Sequence, residues 1–225
     1  GAMNAATALQ LCLLVPLLGG AGIVAARNRP NLRESITLIT AAALLGCVLA
    51  VLAGYLHGDA PTVVLAEPVP GLPLSLRPEP LGVLFALLAS GLWLVTSVYS
   101  IGYMRAKRES HQTRYYLCFA IALLGAMGVA FASNLLTLFV FYEVLTLSTY
   151  PLVALAGTPE AVRGARTYLG ILLATSIGLF LPAIVWTYSL AGTLEFTPGG
   201  LLEGRSRSST AWTSFITSSS ASIII

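Results

Sequence analysis

Residues 115–157 read YYLCFAIALLGAMGVAFASNLLTLFVFYEVLTLSTYPLVALAG, and Glu143 carries the only charge among them. A helix needs about 20 mostly apolar residues to cross the ~30 Å hydrocarbon core of a bilayer. The stretch is too long for one such helix and long enough for two. Ser133 and Asn134 mark the natural break, because both residue types favour turns and helix N-caps. We therefore predict two membrane-spanning helices here, at about 115–132 and 135–155.

The rest of the chain contains four more apolar stretches of similar length. The chain has 225 residues, of which 56% are hydrophobic and 9% are charged, whereas soluble domains carry about 25% charged residues. So few charges cannot cover a water-facing surface, so the surrounding medium is expected to be the lipid bilayer. We predict an all-α fold: a polytopic transmembrane helix bundle over residues 1–203, with about six transmembrane helices. The other four spans are placed at about 5–26, 35–56, 81–103 and 167–191.

Basic residues are distributed unevenly between the two sides of this bundle. If six spans alternate in direction, the connections on one side carry nine of the 12 Lys and Arg residues. Cytoplasmic loops of membrane proteins carry such an excess. We therefore predict a multi-pass protein of the cell (inner) membrane, with both termini on the outer, periplasmic face. The nine residues are Arg27, Arg29, Arg33, Arg105, Lys107, Arg108, Arg114, Arg163 and Arg166.

Two segments lie outside the predicted spans. The connection over 57–80 contains six prolines, which exclude a continuous helix. It is predicted to be an extended surface flap, with space for a short hairpin. Residues 204–225 form a tail that is rich in Ser and Thr and lacks an amphipathic period. One hypothesis is that this tail is truncated or non-native sequence in place of further membrane sequence.

Glu143 is the one acidic residue that the predicted spans place near the middle of the bilayer. It lies eight residues after Leu135, the first residue of its span. At a rise of 1.5 Å per residue, this corresponds to a depth of about 12 Å. A charge at a helix centre costs about 2.5–3.5 kcal/mol on insertion scales. The other acidic residues lie in connections or at their edges. Two interpretations stay open here: a satisfied polar group that holds helices together, or a site for protons, ions or a ligand.

Several polar residues share the side of the predicted helix that carries Glu143. At about 100° per residue, one arc holds Tyr142, Glu143, Thr146, Thr149 and Tyr150, while Ser148 lies opposite. This arc is expected to face the bundle, where hydroxyl groups can hydrogen-bond a carboxylate or order water beside it. Proton relays in membrane pumps use carboxyl groups in such positions. Helical spacing alone leaves both interpretations open. Under the second, Glu143 is the candidate proton-translocation residue, and Tyr142, Thr146 and Tyr150 are its supporting polar residues.

Pro151 and Pro182 are predicted to break the fifth and sixth helices. A proline lacks a backbone donor, so it frees a carbonyl group one turn earlier, here at Leu147 and Gly178. Freed carbonyl groups in membrane proteins often line wet cavities. A plain packing kink is the alternative interpretation for each proline.

The sequence predicts no cofactor, no metal site and no nucleic-acid partner. Cys12, Cys47 and Cys118 lie in apolar stretches without metal-ligand spacing. The chain has no Gly-rich nucleotide loop, no cysteine cluster for iron–sulfur and no pair of haem ligands in the bundle. A formal charge of +3 without a long basic run gives no sign of nucleic-acid binding.

A series of short motifs carries a resemblance to a known family. The motifs are Tyr99–Met104 (YSIGYM), Arg114–Tyr116 (RYY), Asn134–Leu136 (NLL), Phe141–Glu143 (FYE), Ser148–Leu152 (STYPL), Gly157–Ala161 (GTPEA) and Arg166–Leu169 (RTYL). With this series the chain resembles the proton-translocating antiporter-like membrane subunits. That family comprises the large membrane-arm subunits of respiratory complex I, the Mrp-type Na+/H+ antiporter subunits and the membrane-bound hydrogenase subunits.

The resemblance implies a role for Glu143. It equates Glu143 with the family's essential glutamate on the fifth helix, which pairs with a lysine on the seventh helix. The only lysine here is Lys107, in a connection, and no seventh span is predicted. The implied function is a proton-translocating subunit, or the N-terminal part of one, in a complex that couples proton movement to redox chemistry or to Na+ export.

The resemblance also implies partners. They are protons, Na+ in the antiporter case, and the other membrane subunits of a respiratory, hydrogenase or antiporter complex. The chain would at most be a membrane subunit of an NADH:quinone oxidoreductase-like or hydrogenase-like enzyme. The alternative is a non-conducting structural or assembly subunit of such a complex.

Overall fold

The computed structural model describes residues 4–107, 112–154, 158–197 and 200. Within these residues, six helices are long and apolar enough to cross a membrane, which confirms the predicted all-α transmembrane bundle. They are α1 (Ala5–Ala25), α2 (Pro30–Leu56), α3 (Pro80–Lys107), α4 (Gln112–Ala130), α5 (Leu135–Val153) and a last helix formed by α6 (Pro159–Thr175), a π-helical turn (Ser176–Phe180) and α7 (Leu181–Ala191). The chain is a multi-pass membrane protein. The tail over 204–225 and Gly157 of the GTPEA motif lie outside the described residues.

The centre of the bundle is formed by α1, α2 and α4. α1 contacts both α2 and α4, and α3 also packs on α2 and α4. The side chains of this core are almost fully buried, among them Leu9, Leu44, Val48, Trp93, Met127 and Phe131. α5 packs on α4, and the last helix packs on α5. α5 therefore connects the packed centre with the last helix.

Two glycines of α4 allow α5 to approach closely. A Cβ atom at Gly125 would lie 2.9 Å from the backbone nitrogen of Leu145, and one at Gly128 would lie 2.0 Å from the ring of Phe141. Larger residues at either position would push the helices apart. Small residues serve this purpose at helix interfaces in membranes, where close backbone approach supplies packing energy. The side of α5 that carries Phe141 and Leu145 is thus the side that faces α4.

An antiparallel hairpin closes one end of the bundle, which we call the hairpin end. Its strands are β1 (Val63–Val69) and β2 (Leu72–Leu76). The turn between them uses Gly71 at a φ of 81°, a conformation that residues with a side chain rarely adopt. Arg77 N–H donates to Phe131 O at 2.8 Å, and Ser133 N–H donates to Ser75 O at 3.1 Å. The connection predicted to be a surface flap therefore contains an ordered hairpin bonded to the α4–α5 junction.

A buried charged cluster lies at the opposite end of the bundle. Arg33 and Glu34 are only 5% and 4% exposed, and both belong to the first turns of α2 rather than to a connection. Arg33 donates to Thr113 Oγ1 at 3.0 Å and to Gln112 Oε1 at 2.5 Å. Glu34 accepts hydrogen bonds from Arg105 on α3. These contacts join α2 to α3 and α4.

Candidate functional site

Asn134 determines where α5 begins and therefore how deep Glu143 lies. Its side-chain oxygen accepts hydrogen bonds from the Thr137 N–H at 2.8 Å and the Thr137 hydroxyl at 2.9 Å, as an N-cap residue does. Asn134 Nδ2 donates to Pro73 O at 2.8 Å, so the cap is also bonded to the hairpin. Glu143 lies about 12 Å from the start of α5, close to the middle of a ~30 Å hydrocarbon core.

Glu143 points away from α4. It lies about 160° around the helix from both Phe141 and Leu145, which are the residues of α5 that meet the two glycines of α4. The face that carries Glu143 is therefore turned away from the packed centre of the bundle, and Glu143 itself is half-buried.

Phe180 of the last helix packs against the side of α5 next to Glu143. Its ring centre lies 5.6 Å from that of Phe139 and 6.4 Å from that of Tyr142, both edge-to-face, which is a favourable geometry for aromatic pairs. We call these three residues the aromatic cluster. Phe180 ends the π-helical turn, in which the Leu181 N–H donates to Ser176 O five residues earlier. Such turns are rare in helices and occur frequently at functional sites.

Glu143 has a carboxylate oxygen without a hydrogen-bond partner. Its Oε1 is sealed from solvent, and no donor from the described part of the chain reaches it. An unpaired buried polar group costs about 1–3 kcal/mol in protein mutational data, and a charge costs more. The ion pairs found among the described residues, Arg77–Glu79 and Arg105–Glu34, lie at the ends of the bundle. The oxygen is satisfied when the carboxyl group takes up a proton or meets a donor from elsewhere.

The predicted supporting residues lie on the same side of α5 as Glu143. Thr146 is buried, and Tyr142 and Tyr150 are half-buried. Within the described chain, none of their hydroxyl groups reaches Glu143 Oε1. Ser148, predicted on the opposite side, is buried there, and its hydroxyl donates to a backbone carbonyl of α5 at 2.6 Å. The structure therefore brings the three residues near Glu143 without a direct hydrogen bond to Oε1.

The two predicted helix breaks differ in local structure. Pro151 lies in the last turn of α5, which ends at Val153. Pro182 is in the first turn of α7, directly after the π-helical turn, and the last helix continues through it. The backbone already departs from the regular α-helical hydrogen-bond pattern before Pro182, so the missing N–H of the proline falls beside an irregular turn.

A small pocket opens at the hairpin end of α5. Its volume is about 50 Å³, which leaves room for a few water molecules, since one needs about 10–15 Å³ by this measure. The hairpin turn, the start of α5 and the segment after α7 line it, with Gly71, Leu72, Pro73, Asn134, Leu136, Gly192, Thr193, Leu194 and Glu195. The Leu135 N–H donates to Leu194 O at 3.0 Å and holds that segment against α5. We call this cavity the hairpin-end pocket.

The sequence motifs assign no site role to Leu136, Phe139 or Phe180, although Leu136 ends the NLL motif. Leu136 precedes Glu143 by two helical turns, and Phe139 precedes it by one turn. Helical spacing therefore places Leu136, Phe139 and Glu143 on one face of α5. That spacing was a usable signal in the sequence. The pairing of Phe180 with Phe139 was not, because the two rings belong to different helices and meet only in the tertiary structure.

Comparison with known proteins confirms the family resemblance predicted from the sequence. Residues 132–223 match the family described as NADH:quinone oxidoreductase/Mrp antiporter, TM. The chain is 30% identical over 193 residues to NADH-quinone oxidoreductase subunit N of Desulforudis audaxviator (strain MP104C). It is 28% identical over 194 residues to a Na(+)/H(+) antiporter subunit of Alkalihalophilus pseudofirmus. Each alignment covers 82% of this chain but only 37% of the relative, so the chain spans well under half of their length.

Solved structures of two membrane complexes share this fold. One match is to a chain of the membrane-bound sulfane sulfur reductase (MBS), an archaeal respiratory membrane complex, with a TM-score of 0.70 and 24% identity over 84% of this chain and 29% of that chain. Another is to a chain of the Mrp complex from Dietzia sp. DQ12-45-1b, with a TM-score of 0.71 and 23% identity over 92% of this chain and 22% of that chain. At these identities the matches establish the fold alone.

Proposed function

We propose that this chain, as a relative of antiporter-like membrane subunits, is a proton-translocating subunit of a multi-subunit complex in the cell membrane. Glu143 is the group that takes up and releases the proton. The observation that carries the proposal is the state of Glu143 Oε1. This oxygen is buried, belongs to a membrane-spanning helix and meets no donor among the described residues. A proton satisfies this oxygen, and its release makes the carboxylate ready for the next one, as a relay requires.

The proposal includes neighbours beyond the described residues. The cations found in ion pairs, Arg77 and Arg105, are engaged with Glu79 and Glu34 at the ends of the bundle. The family resemblance implies a lysine as the partner of Glu143, which would come from further sequence or from another membrane subunit. The last helix exposes apolar side chains, with Leu179 at 72% and Val185 at 61%, so its outer face has room for such neighbours.

The proposed orientation places the charged cluster of Arg33 and Glu34 on the cytoplasmic side and the hairpin end outside. It is supported by the excess of Lys and Arg in the connections at the former end. The coupled process is either redox chemistry or Na+ export, since the two curated relatives are named for an NADH-quinone oxidoreductase and a Na(+)/H(+) antiporter.

The test replaces Glu143 in the native complex. Glu143→Gln keeps the shape and removes the ionisable group, so proton movement is expected to fall to background while the complex assembles normally. Glu143→Asp keeps the carboxyl group on a shorter side chain and is expected to retain part of the activity. Proton movement is measured with a pH-sensitive dye in inverted membrane vesicles. Asp59→Asn is the matched control, because it neutralises an exposed carboxylate in the connection after α2.

Normal proton movement by an assembled Glu143→Gln complex would overturn the proposal. It would favour the alternative function, a non-conducting structural or assembly subunit. Loss of movement in both Glu143→Gln and Asp59→Asn would also count against a specific role, since the two residues lie in unrelated environments.

A further inference from the structure

One face of α5 leads from the hairpin-end pocket to Glu143. Leu136 lines the pocket, Phe139 lies one turn further along, and Glu143 follows after another turn. Residues three or four apart on a helix are neighbours on its surface. The whole distance along the axis is about 10 Å at 1.5 Å per residue. The pocket and the carboxyl group are therefore separated by about one layer of side chains.

The Phe139–Phe180 pair of the aromatic cluster is that layer. Phe139 belongs to the face that joins Leu136 to Glu143, and Phe180 packs on it from the last helix with its ring centre 5.6 Å away. Phe180 also packs on Tyr142, the residue next to Glu143, at 6.4 Å. A pair of edge-to-face rings leaves no polar atom of its own to carry a proton. The contact of Phe180 with Phe139 therefore places apolar rings, which cannot carry a proton, along the face that leads from the pocket to Glu143.

The charges beside the pocket suit a positively charged ion. Glu195 lines the pocket and is exposed. Glu67 accepts a hydrogen bond from the Gly71 N–H at 2.7 Å, which places a second carboxylate beside the turn that lines the pocket. Arg77 is the nearby cation among the described residues of the hairpin connection, and it is paired with Glu79 at 2.7 Å. The pocket thus opens into negative surroundings, which raise the local concentration of cations.

We propose that the hairpin-end pocket is the mouth through which Glu143 exchanges protons with the solution on that side, and that Phe180 is the barrier residue between them. The inference rests on the proposed function of Glu143. Phe180 acts through its position: it neither binds nor carries the proton. Displacement of the Phe180 ring from α5 would let water join the pocket to the carboxyl group, and its return would separate them.

The first experiment removes the barrier. Phe180→Ala in the native complex, reconstituted into sealed vesicles, is expected to give a several-fold increase in passive proton leak when no substrate is supplied. The leak should vanish in the double variant Phe180→Ala with Glu143→Gln, because the path runs through the carboxyl group. Phe85→Ala is the matched control: it removes a half-exposed ring of α3 that is not part of the aromatic cluster.

The outcomes separate this inference from the proposed function. No increase in leak for an assembled Phe180→Ala complex would overturn the inference, even if Glu143→Gln abolishes coupled proton movement. A leak that persists in the double variant would overturn it as well, since the path would then bypass Glu143. Normal coupled movement by Glu143→Gln alone would instead overturn the proposed function.

A second experiment tests the mouth without changing the aromatic cluster. Leu136→Cys places a thiol in the pocket, and a positively charged methanethiosulfonate reagent added from the hairpin side is expected to reduce coupled proton movement several-fold. His57→Cys is the control, because His57 is exposed at the hairpin end outside the pocket. The native cysteines Cys12, Cys47 and Cys118 are buried, so their background reaction is small. Full modification of Leu136→Cys with unchanged proton movement would overturn the inference.

Discussion

Glu34, at one end of the bundle, and Glu143, midway along α5, are two carboxylates with opposite surroundings. Glu34 is 4% exposed and accepts hydrogen bonds from two nitrogens of the Arg105 guanidinium group. Glu143 Oε1 meets no donor from the described part of the chain. Buried charges are tolerated when they are paired and hydrogen-bonded. Glu34 therefore serves as a fixed link between α2 and α3, whereas Glu143 is available for proton exchange under the proposed function.

Loss of Arg105 is expected to destabilise the protein more than loss of Glu34. Arg105→Gln leaves the carboxylate of Glu34 buried without its cation, which is the costly way to break such a pair. Glu34→Gln leaves an arginine whose side chain is 56% exposed and can turn toward solvent. Thermal unfolding in detergent should therefore show a drop of several degrees for Arg105→Gln and a smaller one for Glu34→Gln.

Arg77→Gln provides the control for this comparison. Arg77 and Glu79 also form an ion pair, but their side chains are 37% and 43% exposed, and exposed pairs contribute little to stability. The unfolding temperature of the Arg77→Gln variant should therefore stay close to that of the unaltered protein. Equal losses for Arg105→Gln and Arg77→Gln would show that burial of Glu34 does not matter.

At the scale of elements, Asn134 joins α5 to the hairpin. Asn134→Ala removes an N-cap, which costs about 0.5–2 kcal/mol, and two donated hydrogen bonds, each worth about 0.5–1.5 kcal/mol. Those bonds go to Pro73 O at 2.8 Å and Ser75 Oγ at 3.0 Å. We therefore expect a loss of about 1.5–5 kcal/mol in the free energy of unfolding. Denaturant unfolding in mixed micelles measures it.

Asn4→Ala is the matched variant for this prediction. Asn4 caps α1, and its side chain accepts a hydrogen bond from the Ala6 N–H at 3.2 Å in an exposed position. It should cost only the cap, about 0.5–2 kcal/mol. The difference between the two variants measures the contribution of the hairpin bonds. If Asn134→Ala cost no more than Asn4→Ala, those bonds would not stabilise the fold.

Two helices begin earlier in the chain than the spans predicted from the sequence. α2 begins at Pro30 and the last helix at Pro159, ahead of the spans predicted from 35 and from 167. Those spans were found as stretches without charged residues, and Arg33, Glu34, Arg163 and Arg166 interrupt such stretches although the helices continue through them. Local signals were present: Thr158 caps the last helix through a hydrogen bond from the Ala161 N–H at 3.2 Å, and proline follows it at the first helical position.

The surroundings of Glu143 were predictable in part. The apolar stretch over 115–157 and the caps at Ser133 and Asn134 led to the two helices, and helical spacing grouped Glu143 with Thr146 and Tyr150. Spacing along one helix does not say which neighbour covers which face. α5 contacts both α4 and the last helix, and only the tertiary structure places Glu143 on the side away from α4.

At the scale of the whole molecule, burial falls from the centre of the bundle to the last helix. In the most apolar window of each helix, 44% of the residues of α4 are buried but only 11% of those of the last helix. Segments with few buried contacts open at lower free energy. Backbone amides of 159–191 are therefore expected to exchange with deuterium faster than those of 112–130 when the purified chain is held in detergent.

Mass spectrometry of peptic peptides measures this difference. α1, of which 44% is also buried in its window, is the internal reference and should exchange as slowly as α4. If the chain is a subunit of a complex, as proposed, and its neighbours cover the last helix, protection of that helix should rise in the complete complex. Equal exchange in the last helix and α4 of the isolated chain would contradict the prediction.

The π-helical turn at Ser176–Phe180 has a consequence for the evolution of this helix. A π turn holds one residue more than an α turn, so it is equivalent to a single-residue insertion in a regular helix. Side chains beyond it, such as the buried Ile184, are rotated by about 100° from their direction in an uninterrupted α-helix. Relatives without the turn should therefore align with a one-codon gap at this point. Deletion of that codon would turn one half of the helix relative to the other and so separate Phe180 from α5 or Ile184 from its buried position, with no change in the chemistry of any side chain.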